Sequence, residues 1–454
     1  MSVQSVLSRL GLGTGELRAW AMYDWANSAF YTTIVAAVFP IYFHSVVAGD
    51  LPGPQATSRF AWATTIAILI VAVVAPLLGA IADFAGLKKR FLAIFMGMGV
   101  LSATAMYWLT RGDWLLALVL FVIGNVGVAA SVIFYESLLP HLVEESELDR
   151  VSSAGYAIGY LGGGVLLAIN LLMIQRPTWF GIADPELAVR LSLASVGIWW
   201  LVFAVPLFLY VPEPARRIEA GERPAGSVVA AGARRLLETL QELRRYRQAF
   251  LLLLAFVVYN DGIQTIIRMA STYGTEIGID QSALIAALLI TQFTGVPFAF
   301  LFGYLAGRVG AKTAVFGGLA VYAGITVLGY FMQTATHFFV LAILVGMVQG
   351  GTQALSRSLF ASMIPRHKSS EFFAFFGVFE RYAGVLGPLI FATMVEATGS
   401  SRNAILAVIA FFVVGGGILA FVNVEEGRAA ARLAEADVTT IAQRAGGTAS
   451  GPHP

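Results

Sequence analysis

The sequence predicts an all-α polytopic membrane protein, with twelve spanning helices arranged as two pseudo-symmetric six-helix bundles. Three observations predict it. Of the 454 residues, 58% are hydrophobic and only 12% charged, whereas soluble domains carry roughly 25% charged residues. Apolar runs of membrane-crossing length recur along the whole chain. About 20 helical residues cross a hydrocarbon core of roughly 30 Å, and the runs are continuous, which disfavours the period-two pattern of a β-barrel. The chain also repeats itself once. GAIADFAGLKK from Gly79 parallels GYLAGRVGAKT from Gly303, with Gly79/Gly303, Gly86/Gly310 and Lys88/Lys312 in register. Ser137-Leu-Leu-Pro140 parallels Ser362-Met-Ile-Pro365, and Leu161-Gly162 parallels Leu386-Gly387.

Taken in order, the spans run over 19–46, 59–82, 91–110, 114–139, 152–175 and 190–211, then 248–272, 281–306, 313–332, 337–363, 371–396 and 403–422, each end to within several residues. They divide the chain into an N-terminal bundle (1–211), a cytoplasmic central loop (212–247), a C-terminal bundle (248–424) and a cytoplasmic tail (425–454) expected to be disordered. The loop contains ARRLLETLQELRRYRQ (233–248), whose leucines follow helical spacing opposite arginines. Such a basic amphipathic helix either lies on the anionic lipids of the inner leaflet or packs under the bundle as a linker.

Charge placement sets the orientation. With both termini inside, twenty-one lysines and arginines fall on the inner side, five outside (Arg59, Arg111, Arg176, Arg190, Arg402) and three within spans (Arg268, Arg357, Arg381). Without the eight arginines of the long central loop, which weigh less in this rule, thirteen inner charges remain. The expectation is an inner (cytoplasmic) membrane protein with both termini in the cytoplasm, its first span serving as an uncleaved signal, and monomeric.

Several chemistries are set aside. The chain has no cysteine, so disulfides, thiolate nucleophiles and Cys-ligated metals are absent. Its five histidines stand at span ends or in the tail, so no metal site, cofactor or nucleic-acid partner is expected. Gly310-Ala-Lys312-Thr313 has the wrong spacing and follows no strand, so it is not a phosphate loop. Gly155, Gly159 and Gly163 form a four-residue stripe suited to close helix packing.

Gly79-Ala-Ile-Ala-Asp83-Phe-Ala-Gly86-Leu-Lys88-Lys-Arg90 resembles the loop signature of the major facilitator superfamily. The resemblance implies that Asp83 docks on a helix N-terminus or an arginine of the opposite half and closes the cytoplasmic side; a helix dipole favours a carboxylate there by about 0.3–1 kcal/mol. The second copy has Gly307 at the acidic position, and the role is not extended to it. Longer strings narrow the resemblance: YDWANSAFYTTI, FYESLLPHL and DRVSSAGYAIGYLGG in the first half, YNDGIQTI and VQGGTQALSRSLFASMIP in the second. Together they look like the vacuole-effluxer-like branch of that superfamily, whose fungal members export amino acids from the vacuole. The chain departs from the branch at Glu136, where an amide is usual. The fold the resemblance implies is the major facilitator fold, and the activity is transport.

Ionisable groups within spans are costly and usually face a hydrated cavity or one another. Here they are Asp24, Glu136, Asp261, Arg268, Arg357, Glu380 and Arg381. Asp24 shares a helical face with Asn27, Ser28 and Tyr31, and its expected partner is Arg357. Three readings stay open for Asp24: a gating or proton-linked carboxylate, a static buried ion pair, and a helix cap. Asp24, Glu136, Arg357, Asp83 and Lys88 form the expected gating set. Counting from the inner ends at 1.5 Å per residue, Asp261 and Arg381 reach the midplane, where transporters bind substrate beside interrupted helices. The expected substrate and proton site is therefore Asp261 with Arg381, joined by Asn260, Gln264, Gln349, Gln353 and Asn27. A zwitterion could engage both charges, which suits an amino acid. The leading expectation is a proton-linked secondary transporter for a small polar solute. The alternatives are an exporter of drug-like or apolar metabolites, a membrane-embedded enzyme (for which no acid/base or nucleophile cluster is present), and a non-transporting receptor.

Overall fold

The computed structural model describes residues 3–215, 246–276, 279, 281–382, 386–398 and 401–447; of some of these, Arg268 and Arg381 among them, only the backbone is described. Most of the expected amphipathic helix of the central loop lies outside the described residues. The described chain is helical almost throughout. A short α1 (Val3–Arg9) precedes α2 (Gly15–Ala29), which continues through π-helix (Phe30–Ala37), α3 (Val38–Tyr42) and a second π-turn (Phe43–Val47) as one span. Then come α4 (Gly53–Ala85), α5 (Lys88–Ala105), α6 (Trp114–Leu142), α7 (Leu148–Gln175) and α8 (Pro185–Tyr210). The second half holds α9 (Arg247–Glu276), α10 (Gln281–Val309), α11 (Ala311–Tyr330), α12 (Ala335–Ser362), α13 (Ser369–Tyr382), α14 (Leu386–Thr398), α15 (Ser401–Ala407), α16 (Ile409–Ala420) and α17 (Val424–Gly447).

Eleven segments among the described residues are long and apolar enough to cross a membrane. The remaining expected span, 371–396, is represented by α13 and α14 on either side of residues 383–385, which lie outside the described ones. Of the tail expected to be disordered, residues 425–447 are instead helical within α17, and 448–454 lie outside the described residues.

Local chemistry explains the main irregularities. In the first span the Thr32 hydroxyl donates to the carbonyls of Ser28 and Ala29 and, across the packing interface, to that of Gly163. Such back-bonding competes with the regular ladder, and the π-helix occupies this stretch. The Gly155–Gly159–Gly163 stripe packs α7 against α2: a Cβ on Gly159 would lie 2.8 Å from Ser28 Oγ, and one on Gly163 3.1 Å from Ser28 O.

The repeat holds with a one-residue difference. Gly86 (φ +65°) ends α4, and two residues separate α4 from α5, whereas a single residue, Gly310 (φ +84°), separates α10 from α11. The register therefore slips after the turn. Lys312 Nζ donates to Ala420 O (2.9 Å) and Val422 O (2.8 Å) at the end of α16. Its counterpart is Lys89, which donates to Phe208 O (3.0 Å) and Val211 O (2.6 Å) at the end of α8. The Lys88/Lys312 correspondence is thus corrected to Lys89/Lys312, because the shorter turn removes one residue.

Candidate functional site

Arg357, on α12 of the second half, is 2% exposed and projects into the first half. Its Nη1 lies 3.6 Å from Asp24 Oδ2 on α2 and 3.6 Å from Glu136 Oε1 on α6. Nε donates to Ser152 Oγ (2.9 Å) and Nη2 to Ser152 O (2.8 Å) on α7. The guanidinium also faces the rings of Tyr156 (4.5 Å) and Trp20 (5.2 Å), a favourable quadrupole contact for a desolvated cation. Tyr135 OH donates to Asp24 Oδ2 at 2.7 Å, and the Tyr135 ring stacks on Trp20. One cation, two carboxylates and three aromatic rings thus share a buried site that both halves build. Gly155 makes the room: a Cβ there would stand 2.6 Å from Asp24 Oδ2 and 3.1 Å from Arg357 Nη2.

Nearer the lysine- and arginine-rich face, α4 and α5 meet the start of α13. Asp83 is 4% and Lys88 3% exposed. Lys88 Nζ is ion-paired with Asp83 and donates to Ser369 Oγ (2.8 Å) and Ser370 Oγ (2.9 Å). The other Asp83 oxygen accepts from Glu371 N (2.9 Å), in the first turn of α13 where N–H groups lack intrahelical partners. Ser369 Oγ donates to Ser137 O, and His141 Nε2 is 3.1 Å from the same hydroxyl. Gly79 lets the helices touch: its Cβ would lie 2.6 Å from Ser370 O. This latch crosses from the first half to the second.

Deeper in the second half, Asp261 is 1% exposed. Its Oδ1 accepts from Gly387 N (2.9 Å) and its Oδ2 from Leu386 N (3.1 Å), so the carboxylate caps the N-terminus of α14. Asn260 is fully buried, and neither polar atom of its amide has a hydrogen-bond partner among the described residues. Tyr259 OH pairs with Ser356 Oγ at 2.6 Å, tying α9 to α12 one residue before Arg357. Gln353 is buried, while Gln264 and Gln349 are half-buried. Asn27 is buried on α2, donating to Tyr23 O. Arg381 belongs to α13, but its side chain is outside the described residues.

Sequence reasoning missed the tyrosines. Tyr160, one turn beyond Tyr156 on α7, slots its ring between Gly295 on α10 and Gly350 on α12; a Cβ on Gly350 would overlap the ring. It bridges the halves above Arg357. The tandem glycines of VQGGTQ were the only hint: a backbone position without Cβ admits a close neighbour.

Relatives fit this geometry. Residues 13–432 match the model of the family described as "Vacuole effluxer Atg22 like". The chain belongs to the Atg22-like vacuole effluxer family. It is 35% identical over 415 residues to the MFS-type transporter YxiO of Bacillus subtilis (strain 168), covering 91% of this chain and 96% of that one. It is 26% identical over 315 residues to autophagy-related protein 22 of Yarrowia lipolytica (strain CLIB 122 / E 150), covering 63% of this chain and 52% of the fungal protein, so it spans about half the length of that relative. The solved proton:xylose symporter XylE superposes with a TM-score of 0.66 at 13% identity, over 94% of this chain and 99% of that one, which establishes the major facilitator fold. The Atg22-like chain is therefore a multi-pass membrane transporter and not an enzyme.

Proposed function

We propose that this Atg22-like chain is a secondary transporter that moves a small polar solute, specifically an amino acid, across the cytoplasmic membrane by proton-linked alternating access. The carrying observation is Arg357 of the second half held between Asp24 and Glu136 of the first. The halves cannot part at this face without separating a buried cation from its carboxylates, a step that neutralising a carboxylate eases. Opposite charges favour ionised carboxyls, and desolvation favours neutral ones; opening the face alters both influences, which is a physical route to proton coupling. On this reading Asp83 and Lys88 latch the cytoplasmic side, with the lysine- and arginine-rich face inside the cell against anionic headgroups and the protein working as a monomer. Asp261, Arg381 and Asn260, with Gln264, Gln349, Gln353 and Asn27, bind the solute at mid-depth, where α14 begins. A zwitterion suits a site that offers an acid, an arginine and the buried amide.

The test is counterflow of radiolabelled amino acids in proteoliposomes, run with and without an inward-acid pH gradient after a thermal-shift screen has nominated the ligand. The expected result is gradient-dependent uptake that Asp24→Asn uncouples from pH. Uptake of the nominated ligand with no dependence on the gradient sinks the coupling, and ligand binding without any counterflow makes the protein a receptor.

A further inference from the structure

We infer that α17 is a strap that holds the two halves together on the lysine- and arginine-rich face and biases the transporter toward the state in which that face is closed; this rests on the alternating-access reading above. The sequence assigns the strap to the end of the second half, and its root is fixed there. Asn423 Oδ1 accepts from Glu426 N (3.1 Å), an N-cap on α17. Gln248 at the start of α9 accepts from Asn423 N (2.9 Å) and donates to Glu426 Oε2 (2.8 Å). Gly427 permits close seating, since a Cβ there would lie 2.5 Å from Met363 Sδ. Farther along, Glu435 Oε1 accepts from Arg366 N (2.9 Å), while Ala431 and Ala434 are buried.

From that base the strap reaches the first half. Glu145, in the turn between α6 and α7, has one oxygen 2.9 Å from Arg428 Nε and the other 2.7 Å from Arg432 Nη2. Arg366 adds a second crossing, 3.7 Å from Glu144 Oε2 and 3.4 Å from Val143 O. Beneath the strap a cavity of about 170 Å³ is lined by Glu144, Glu145, Arg366, Arg432 and Glu435 together with apolar residues of both halves such as Leu148 and Ile364. The cross-half contacts exist only while the two turns are apposed, so any motion that spreads this face must detach Glu145 from both arginines. Exposed ion pairs are individually weak and screened by salt. Two converging on one carboxylate shift the open–closed balance by about two- to ten-fold, which is the scale of a bias and not of a lock.

The chain contains no cysteine, so one introduced thiol reports cleanly. Ala361→Cys, a 3% exposed position lining the cavity, is labelled with a membrane-impermeant maleimide in the purified full chain. Glu145→Arg is expected to raise the labelling rate two- to ten-fold, and Glu145→Arg with Arg428→Glu and Arg432→Glu to bring it back. Arg428→Gln with Arg432→Gln gives the same rise without introducing a repelling charge, and added salt raises labelling more in the parent than in that variant, which keeps, of these crossings beside the strap, only the Arg366–Glu144 pair. Asp83→Asn serves as the reference that opens this face through the latch. If Asp83→Asn accelerates labelling and the strap variants do not, the strap is wrong while alternating access stands. If none of the variants changes the rate, both fail. A Glu145→Arg rise that the charge swap does not reverse also overturns the strap.

Discussion

Replacing Arg357 by methionine removes the charge and keeps most of the side-chain volume. The guanidinium stands 3.6 Å from each of two carboxylates. At an effective dielectric constant of about 20, each pair carries about 4–5 kcal/mol of Coulomb attraction, most of which offsets the desolvation of three charges. The loss is therefore set less by the attraction than by what is left behind. Asp24 and Glu136 would face each other without their cation, and stripping one partner from a buried pair costs about 3–5 kcal/mol. The two hydrogen bonds to Ser152 go as well. Arg357→Met should lower the thermal midpoint in detergent by several degrees. Arg357→Met with Asp24→Asn and Glu136→Gln, which removes the cation together with both carboxylates it faces, should recover most of the loss, because apolar or neutral replacement of a whole buried cluster is often near neutral. Both variants should be inactive in gradient-driven uptake. Equal midpoints for the single and triple variants, or a single variant as stable as the parent, refute the claim that Arg357 neutralises these two acids. A triple variant that still transports with a normal pH dependence makes the cluster a static ion pair.

Lys88→Gln should loosen the contact with Ser369 and Ser370 and speed labelling of Ala361→Cys, whereas Lys89→Gln should lower the thermal midpoint slightly and leave labelling alone, since Lys89 only caps α8. Asp261→Asn keeps one oxygen for the N–H groups of Leu386 and Gly387 but loses the charge that meets the solute's ammonium; uptake should weaken and its pH profile flatten, measured in vesicles over roughly pH 5–8, around the ordinary carboxylate-to-histidine range. An unchanged profile excludes Asp261 from coupling. Gly350→Ala should cost about 1–3 kcal/mol by overpacking against the Tyr160 ring, and in a Tyr160→Ala background the same substitution should cost nothing further; an equal loss in both backgrounds means the ring is not the obstacle.

The membrane made most of the fold legible. Burial in hydrocarbon requires every span to be long and apolar by itself, so α4 through α12 are written locally in the sequence. Asp24, Glu136 and Arg357 could be nominated for the same reason, as charges out of place. Their convergence was not legible, because it depends on how α2, α6 and α12 cross. Tyr156 and Tyr160 were missed because a tyrosine in a span is chemically unexceptional until its neighbours are known. In the eleventh expected span, RYAGVLGPL carries two glycines and a proline that interrupt the apolar run of the sequence. α17 was missed on composition: its charges read as a solvated tail, although Asn423 followed by Glu425 and Glu426 and then an alanine-rich run is the signature of a capped helix. The lysine register failed because matching glycines cannot reveal that one turn is a residue shorter.

That missing residue makes the duplicated scaffold unequal. Lys89 and Lys312 do the same masonry in both copies, holding a helix end in place, but the additional residue in the first turn supplies Lys88, and Asp83 beside it has only Gly307 as its opposite number. The first copy offers Asp83 and Lys88 at this corner and the second answers from α13 with Ser369, Ser370 and the Glu371 N–H, so the contact is built from unlike parts of a scaffold whose two copies otherwise mirror each other.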